Sequence, residues 1–94
     1  MTIPMTGKLI VPPETLINEI GGESVILSLK SASYFGLDEM GTRMWQVLTS
    51  SESIQAAYDR LLAEYDVEED RLRADLMNLV AELEQHKLAE VRCE

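Results

Sequence analysis

The sequence predicts a small α+β domain in which a three-stranded antiparallel sheet comes first and three helices follow. Its 94 residues suffice for one domain with one modest hydrophobic core. Between residues 15 and 37, short runs of alternating apolar and polar side chains are separated by turn residues, which is typical of strands. From Asp38 onward the apolar side chains recur every three to four residues, which is typical of amphipathic helices.

Three runs predict the strands of one antiparallel sheet. Gly21 and Gly22 follow the first run and indicate a tight reversal, because glycine tolerates the positive φ angles of hairpin turns. Residues 30–32 make a second short turn. The predicted strands are residues 15–20, 24–29 and 33–37.

Alternation in the second strand separates two faces of the sheet. Val25, Leu27 and Leu29 share one face, whereas Ile26 points to the other face between two serines. A three-stranded sheet with one apolar face has to bury that face, and three amphipathic helices are suited to cover it.

Helical periodicity begins at Asp38, whose carboxylate is suited to accept a hydrogen bond from the main-chain N–H of Met40 or Gly41. The second helix is predicted to begin after Ser53, and the third and longest spans about residues 68–85. The apolar stripes of the three helices are Leu37, Gly41, Met44, Trp45 and Leu48; Ile54, Tyr58, Leu61, Leu62 and Tyr65; and Leu72, Leu76, Leu79 and Leu83.

This order of elements is that of a winged-helix-like domain with its strands placed first. Residues 1–14 are rich in proline and are predicted to form a flexible N-terminal arm, with a brief extended piece at residues 9–11. The folded domain is predicted to span residues 15–91, and residues 88–91 suit a short extended tail. An outer strand of such a sheet keeps unpaired main-chain groups, so the fold leaves an open edge.

The net charge of −9 is concentrated in the helical part of the chain. Residues 1–37 have two basic and three acidic side chains, a net −1, whereas residues 38–94 have six basic and fourteen acidic ones, a net −8. Such a surface repels nucleic acid and anionic membranes, and it suits a neutral or basic peptide. Without a membrane span or a signal-peptide pattern, we expect the protein in the cytoplasm.

The sequence offers little for catalysis. His86, the only histidine, suits a helix end whose dipole it complements; the other interpretation is a general base. Cys93, the only cysteine, is either a reactive thiol or an incidental tail residue, and the acidic residues 68–70 either bind a cation or favour a helix start. One histidine and one cysteine do not make a zinc site, and no phosphate-binding loop is present. We therefore predict no enzyme activity, metal or cofactor.

Two aromatic side chains are candidates for ligand contact. Trp45 lies on the apolar face of the first helix with Leu48, which favours a core position over a binding anchor. Tyr34 points away from Phe35 and Leu37 in the third strand. A large ring on that face needs either a packing partner or a ligand.

The junction of the third strand and first helix, YFGLDEMGTRMW at residues 34–45, resembles the PqqD-like family, also called RiPP recognition elements. The resemblance covers roughly residues 15–91. It rests on the aromatic pair in the strand, the Leu-Asp-x-x-Gly step that ends at Gly41, the Trp-x-x-Leu that follows, and the leucine stripe of the last helix. The segment YFGLDEMG, residues 34–41, is most similar to the free-standing leader-binding subunit of lasso-peptide pathways.

The resemblance implies a non-catalytic protein that binds the leader of a ribosomally synthesised precursor peptide. It implies presentation of that leader to a leader peptidase, a cysteine protease of transglutaminase-like type, before an ATP-dependent cyclase acts. The leader is expected to add a strand in the cleft between the third strand and third helix. The implied peptide-binding residues are Ser33, Tyr34, Phe35, Gly36, Leu72, Asp75, Leu76 and Leu79, with Arg71 and Asp75 either fixing register or pairing only with each other. Relatives often have glycine after this helix, where this chain has Gln85, His86 and Lys87.

Two other functions share these elements. A winged-helix DNA-binding regulator predicts a basic third helix, whereas residues 68–87 hold six acidic residues and only Arg71, Arg73 and Lys87 as basic ones. A generic adaptor predicts a folded protein partner in place of a leader, which calorimetry with a leader peptide distinguishes.

Overall fold

The computed structural model describes residues 4–93, and the predicted three strands and three helices are confirmed in it. Two further short strands, at residues 8–10 and 90–92, pair with each other in a separate sheet. In chain order the elements are β1 (Lys8–Ile10), β2 (Thr15–Ile20), β3 (Glu23–Ser28), β4 (Ser33–Leu37), α1 (Glu39–Ser50), α2 (Ile54–Glu64), α3 (Glu69–Gln85) and β5 (Glu90–Arg92).

The main sheet has the strand order β2-β3-β4, and both pairs are antiparallel. Gly21 and Gly22 make the first reversal with φ angles of 64° and 88°, which side chains with a Cβ rarely adopt. The register places Leu16 opposite Leu27, and Leu27 opposite Tyr34, so these three side chains form one row across the sheet. This register leaves β2 and β4 as the two edges.

The helices cover the opposite face of the sheet from the one that the apolar pattern favoured. Ile26 is fully buried beneath the helices with Ser24 and Ser28 on either side, while Val25 and Leu27 are exposed. The serines fit because they are small and find polar partners: Ser24 Oγ lies 2.7 Å from Thr42 Oγ1 of α1 in a buried hydrogen bond. Close packing of α1 on β3 therefore decides the covered face.

Side-chain caps set the beginnings of the first two helices as predicted. Asp38 Oδ1 accepts a hydrogen bond of 2.7 Å from the Gly41 N–H, and Ser53 Oγ accepts one of 3.0 Å from the Ala56 N–H. Trp45 is buried in the core, which confirms the core interpretation. The fully buried large side chains are Ile26, Leu48, Ile54, Leu61, Leu72, Leu76, Leu83, Leu88, Val47 and Val80.

Part of the predicted N-terminal arm is held in the structure. Lys8–Ile10 pairs antiparallel with Glu90–Arg92, and Leu9 is only 3% exposed within the core. The main-chain N–H of Ile54 also donates to the Gly7 carbonyl at 2.8 Å. Because these contacts join residues 7–10 to β5 and to the start of α2, residues 8–10 belong to the packed structure and not to a free arm; residues 1–3 lie outside the described part.

The end of α3 adopts a Schellman cap although it has no glycine. The N–H of Leu88 donates to the Leu83 carbonyl at 2.9 Å and the N–H of Lys87 to the Glu84 carbonyl at 3.0 Å. Lys87 occupies the left-handed position with a φ of 60°. Both leucines are fully buried, so their contact compensates for an unfavourable residue at that position.

Replacing Lys87 by glycine is therefore expected to stabilise the protein by about 0.5–1 kcal/mol, because glycine adopts a positive φ without steric cost. Urea unfolding of Lys87→Gly should show a higher midpoint with an unchanged slope. Lys30→Gly is the matched control, since among the described residues only Ala32 and Lys87 combine a side chain with a positive φ. Equal destabilisation by both changes would contradict the strain at Lys87.

A surface ion pair joins α1 to α2. The guanidinium of Arg43 donates from Nε to Glu64 Oε2 at 2.7 Å and also from Nη2 to Oε1. This bidentate hydrogen bond lowers the pKa of Glu64 and raises the pKa of Arg43.

In the described residues no helix is both long enough and apolar enough to cross a membrane.

Candidate functional site

An open cleft of about 520 Å³ lies beside the β4 edge of the sheet, between β4, the start of α1 and the middle of α3. Its lining combines five apolar side chains, two glycines and four polar side chains. They are Phe35, Leu37, Met40, Met44 and Leu79; Gly36 and Gly41; and Asp38, Asp75, Asn78 and Glu82. Because β4 has a paired neighbour on only one side within residues 4–93, its other edge there is open to an extended chain lying in this cleft.

His86, at the end of α3, contacts one of the cleft residues. Its ring lies 5.6 Å from that of Phe35, centroid to centroid, with the planes tilted by 37°. This contact joins the capping turn of α3 to β4. It places the sole histidine as a packing partner of a cleft residue, a role that its helix-terminal position alone did not indicate.

Four of the predicted site residues line the cleft together. Phe35 and Gly36 come from β4, and Asp75 and Leu79 come from α3. Alternation along β4 turns Phe35 inward, and the helical spacing of Asp75 and Leu79 sets them on one side of α3. The interpretation of the cleft as lying between the third strand and third helix agrees with this geometry.

The other predicted residues lie elsewhere. Leu72 and Leu76 are 1% and 0% exposed in the hydrophobic core, so they support α3 from beneath and do not line the cleft. Arg71 is exposed and its Nε lies 4.0 Å from Asp75 Oδ2, an ion pair of solvent-exposed groups. Ser33 is half-buried, and its Oγ accepts a hydrogen bond of 3.2 Å from Ser31 Oγ in the hairpin turn.

Tyr34 is also outside the cleft, on the far side of the sheet, where it is 73% exposed. We call this surface the outer sheet face; its exposed apolar side chains are Leu16, Ile20, Val25, Leu27, Leu29 and Tyr34. Exposed apolar surface grouped on one sheet face is typical of an interaction site.

Several cleft residues were missed at the sequence level. Asn78 and Glu82 share the helical stripe of Asp75, since they follow it by three and seven residues, and this spacing was sufficient to find them. Met40 and Met44 had no such signal. Their place in the cleft depends on how α1 packs against β4 and α3.

The polar lining of the cleft is acidic. Asp38, Asp75 and Glu82 are the charged lining residues, and no lysine or arginine is among the lining side chains. One oxygen of Asp38 is used by the α1 cap. The cleft therefore combines apolar side chains with carboxylates, which suits an extended guest chain and does not suit a phosphate backbone.

Comparison with known proteins is consistent with this geometry. TbiB1, solved in complex with the TbiA(beta) leader peptide, is 28% identical, with a TM-score of 0.79 over 90% of this chain and 99% of its own. Lasso peptide synthetase B1, complexed with the leader peptide, is 24% identical, with a TM-score of 0.76 over 88% and 98% of the two chains, which shows similarity of fold alone. No curated protein sequence matches the chain significantly.

The family comparison agrees with the resemblance of the strand-to-helix junction. The model of coenzyme PQQ synthesis protein D (PqqD) matches residues 23–89, which run from β3 to the capping turn of α3 and include both walls of the cleft. That match spans well over half of the 94 residues. The chain therefore belongs to the PqqD family, with the fold of a RiPP recognition element.

Proposed function

We propose that this protein binds the leader segment of a ribosomally synthesised precursor peptide, most similar in class to a lasso-peptide precursor. The leader pairs with the free edge of β4 and adds a fourth strand, while alternate side chains enter the cleft beside α3. The observation that supports this most is an unpaired strand edge beside a helix-walled cleft in the same chain. The two solved structures of similar fold each hold a leader peptide.

Strand addition explains how so small a protein binds a disordered guest. Main-chain hydrogen bonds along β4 supply affinity for any sequence, and side-chain pockets at alternate positions supply selectivity. Each buried apolar anchor contributes about 1.5–3 kcal/mol, whereas ordering the guest costs about 2–5 kcal/mol. Two or more anchors are therefore needed for a dissociation constant between about 10 µM and 10 nM.

Calorimetry with a synthetic leader tests this function. The leader of a lasso-peptide precursor from the same organism is expected to bind with a dissociation constant between about 10 µM and 10 nM. A scrambled peptide of the same composition is the control, because main-chain pairing alone does not fill the cleft with the right side chains. Absence of heat at tens of micromolar for the true leader would count against leader binding.

In this proposal the protein does no chemistry itself and presents the leader to separate enzymes, a transglutaminase-like cysteine peptidase and then an ATP-dependent cyclase. The outer sheet face supports such a partner, because a leader paired with β4 leaves that face uncovered. Its exposed row of Leu16, Leu27 and Tyr34 suits an apolar protein surface.

Leu27→Glu is expected to separate leader binding from the interaction with the peptidase. A carboxylate in the middle of the outer sheet face should leave leader affinity unchanged but slow leader cleavage by the peptidase about tenfold or more, since one well-packed interface anchor contributes about 2 kcal/mol. Leader affinity by calorimetry and cleavage by mass spectrometry give the two readouts.

The matched control for Leu27→Glu is Val67→Glu in the loop before α3. Val67 is 40% exposed and Leu27 is 37% exposed, so the two substitutions carry similar costs in the free protein. Equal rates of leader cleavage in the presence of the two variants would show that the outer sheet face does not contact the peptidase.

A further inference from the structure

The floor of the cleft, formed by Phe35 and Leu79, offers an apolar contact to one inward side chain of a guest strand. Phe35 of β4 and Leu79 of α3 face each other across the cleft, and both are continuous with the core. An apolar guest side chain that enters here gains the contact of both walls. A charged side chain at the same place loses its hydration without a partner.

Two carboxylates stand on either side of Leu79 along α3. Asp75 precedes it by four residues and Glu82 follows it by three, which at about 1.5 Å per residue gives about 6 Å and 4.5 Å along the helix axis. Asp75 has only its exposed pairing with Arg71, at 4.0 Å. Glu82 has no side-chain hydrogen bond or ion pair within residues 4–93. Both carboxylates are therefore available to a guest cation.

The repeat of a strand matches this spacing. Inward side chains of a guest paired with β4 recur about every 6.7 Å, since alternate residues share a face. For a guest strand that runs along the axis of α3, the second neighbours of the side chain on Leu79 and Phe35 come beside Asp75 and Glu82. The long flexible stems of lysine and arginine cover the remaining difference of one to two ångströms, roughly a C–C bond.

Building on the proposed leader binding, we propose that the cleft selects a guest in which an apolar residue is flanked on both sides, at the second neighbour, by lysine or arginine. The guest pattern is basic-x-apolar-x-basic. Its apolar side chain occupies the Phe35–Leu79 floor, and its two cations pair with Asp75 and Glu82. The charge of the helical part of the chain, −8 over residues 38–94, favours the same guest at long range.

The acidic lining, formed by Asp38, Asp75 and Glu82, is a property of this cleft and not of every cavity on the molecule. A second cavity, beside the C-terminal end of α3, is lined by Lys30 and Lys87 as well as by Glu14, Glu84 and Glu90. Mixed charge there gives no preference for one sign of guest. Charge selection is thus expected to follow Asp75 and Glu82 in particular.

Selection from a displayed library of random dodecapeptides on the full-length protein tests the inference at low salt. Enriched peptides are expected to share an apolar residue with lysine or arginine at both second neighbours. A synthetic peptide of this pattern should bind more tightly than its glutamate counterpart, and high salt should reduce the difference.

Charge-removing variants assign the preference to its residues. In Asp75→Asn with Glu82→Gln, the affinity for the basic peptide should fall by about two- to fivefold per carboxylate, while a peptide with neutral flanks keeps its affinity. Asp70→Asn with Glu84→Gln is the control with the same loss of charge on α3 away from the cleft, and it should retain the preference.

The outcomes separate this inference from the function on which it rests. Enrichment of apolar peptides without basic neighbours, or an unchanged preference in the Asp75/Glu82 variant, would overturn the charge pattern and leave peptide binding intact. Failure to enrich any peptide, together with no heat from the leader, would overturn both.

Discussion

Asn78→Trp is expected to weaken leader binding about ten- to hundredfold while leaving the protein folded. Asn78 is exposed on α3 and lines the cleft, so an indole at this position fills the space that a guest side chain needs. Loss of one apolar anchor alone removes about 1.5–3 kcal/mol, which corresponds to about a ten- to hundredfold weaker affinity. Calorimetry with the leader measures the loss, and thermal unfolding confirms that stability is retained.

Ala81→Trp is the matched control for this substitution. Ala81 is exposed on the same helix but does not line the cleft, so the same indole is added to α3 without obstructing a guest. Its leader affinity should equal that of the unmodified protein. If Asn78→Trp bound the leader with full affinity, the guest would have to occupy another surface, such as the β2 edge.

Leu76→Asp is expected to unfold the protein. The side chain is 0% exposed in the core, and replacing a buried leucine costs about 2–5 kcal/mol before the carboxylate is considered. Burying an unpaired charge adds several kcal/mol, and the sum approaches the whole stability of a small domain, about 5–15 kcal/mol. Near-ultraviolet circular dichroism and thermal unfolding should show no cooperative native state.

This expectation revises the use of Leu76 as a binding residue. The family resemblance implies Leu76 as a peptide-binding residue; with Leu76 in the core, loss of leader binding in Leu76→Asp would follow from loss of structure. Ala74→Asp, which adds the same carboxylate at an exposed position of α3, should remain folded. A folded Leu76→Asp protein would mean that Leu76 and the apolar stripe of α3 face the cleft and not the core.

The sequence pattern was sufficient to predict the three strands of the main sheet and the three helices, because local turns and caps determine where several of them begin and end. Gly21 and Gly22 set the first hairpin, Asp38 caps α1, and Ser53 caps α2. In each case the interacting residues lie within a few positions of each other in the sequence. The family resemblance at residues 34–45 then located the two walls of the cleft, β4 and α3.

Local pattern was not sufficient to tell which side of α3 meets the guest. Leu72, Leu76 and Leu79 form one apolar stripe in the sequence, yet only Leu79 reaches the cleft and the other two are core. A wide apolar stripe serves both a core and a groove, and the boundary between them depends on the rotation of the helix against its neighbours.

By itself the sequence determined the order of the main strands and helices, the first hairpin turn and the cap of α1, the acidic character of the helical part and membership of the PqqD family. Only the tertiary structure decided that the serine face of β3 is covered, that Leu9 joins the core, and that Met40 and Met44 line the cleft. The physical reason is that these features arise from contacts between segments distant in the chain, such as Ser24 with Thr42 or β1 with β5, whose packing no local periodicity encodes.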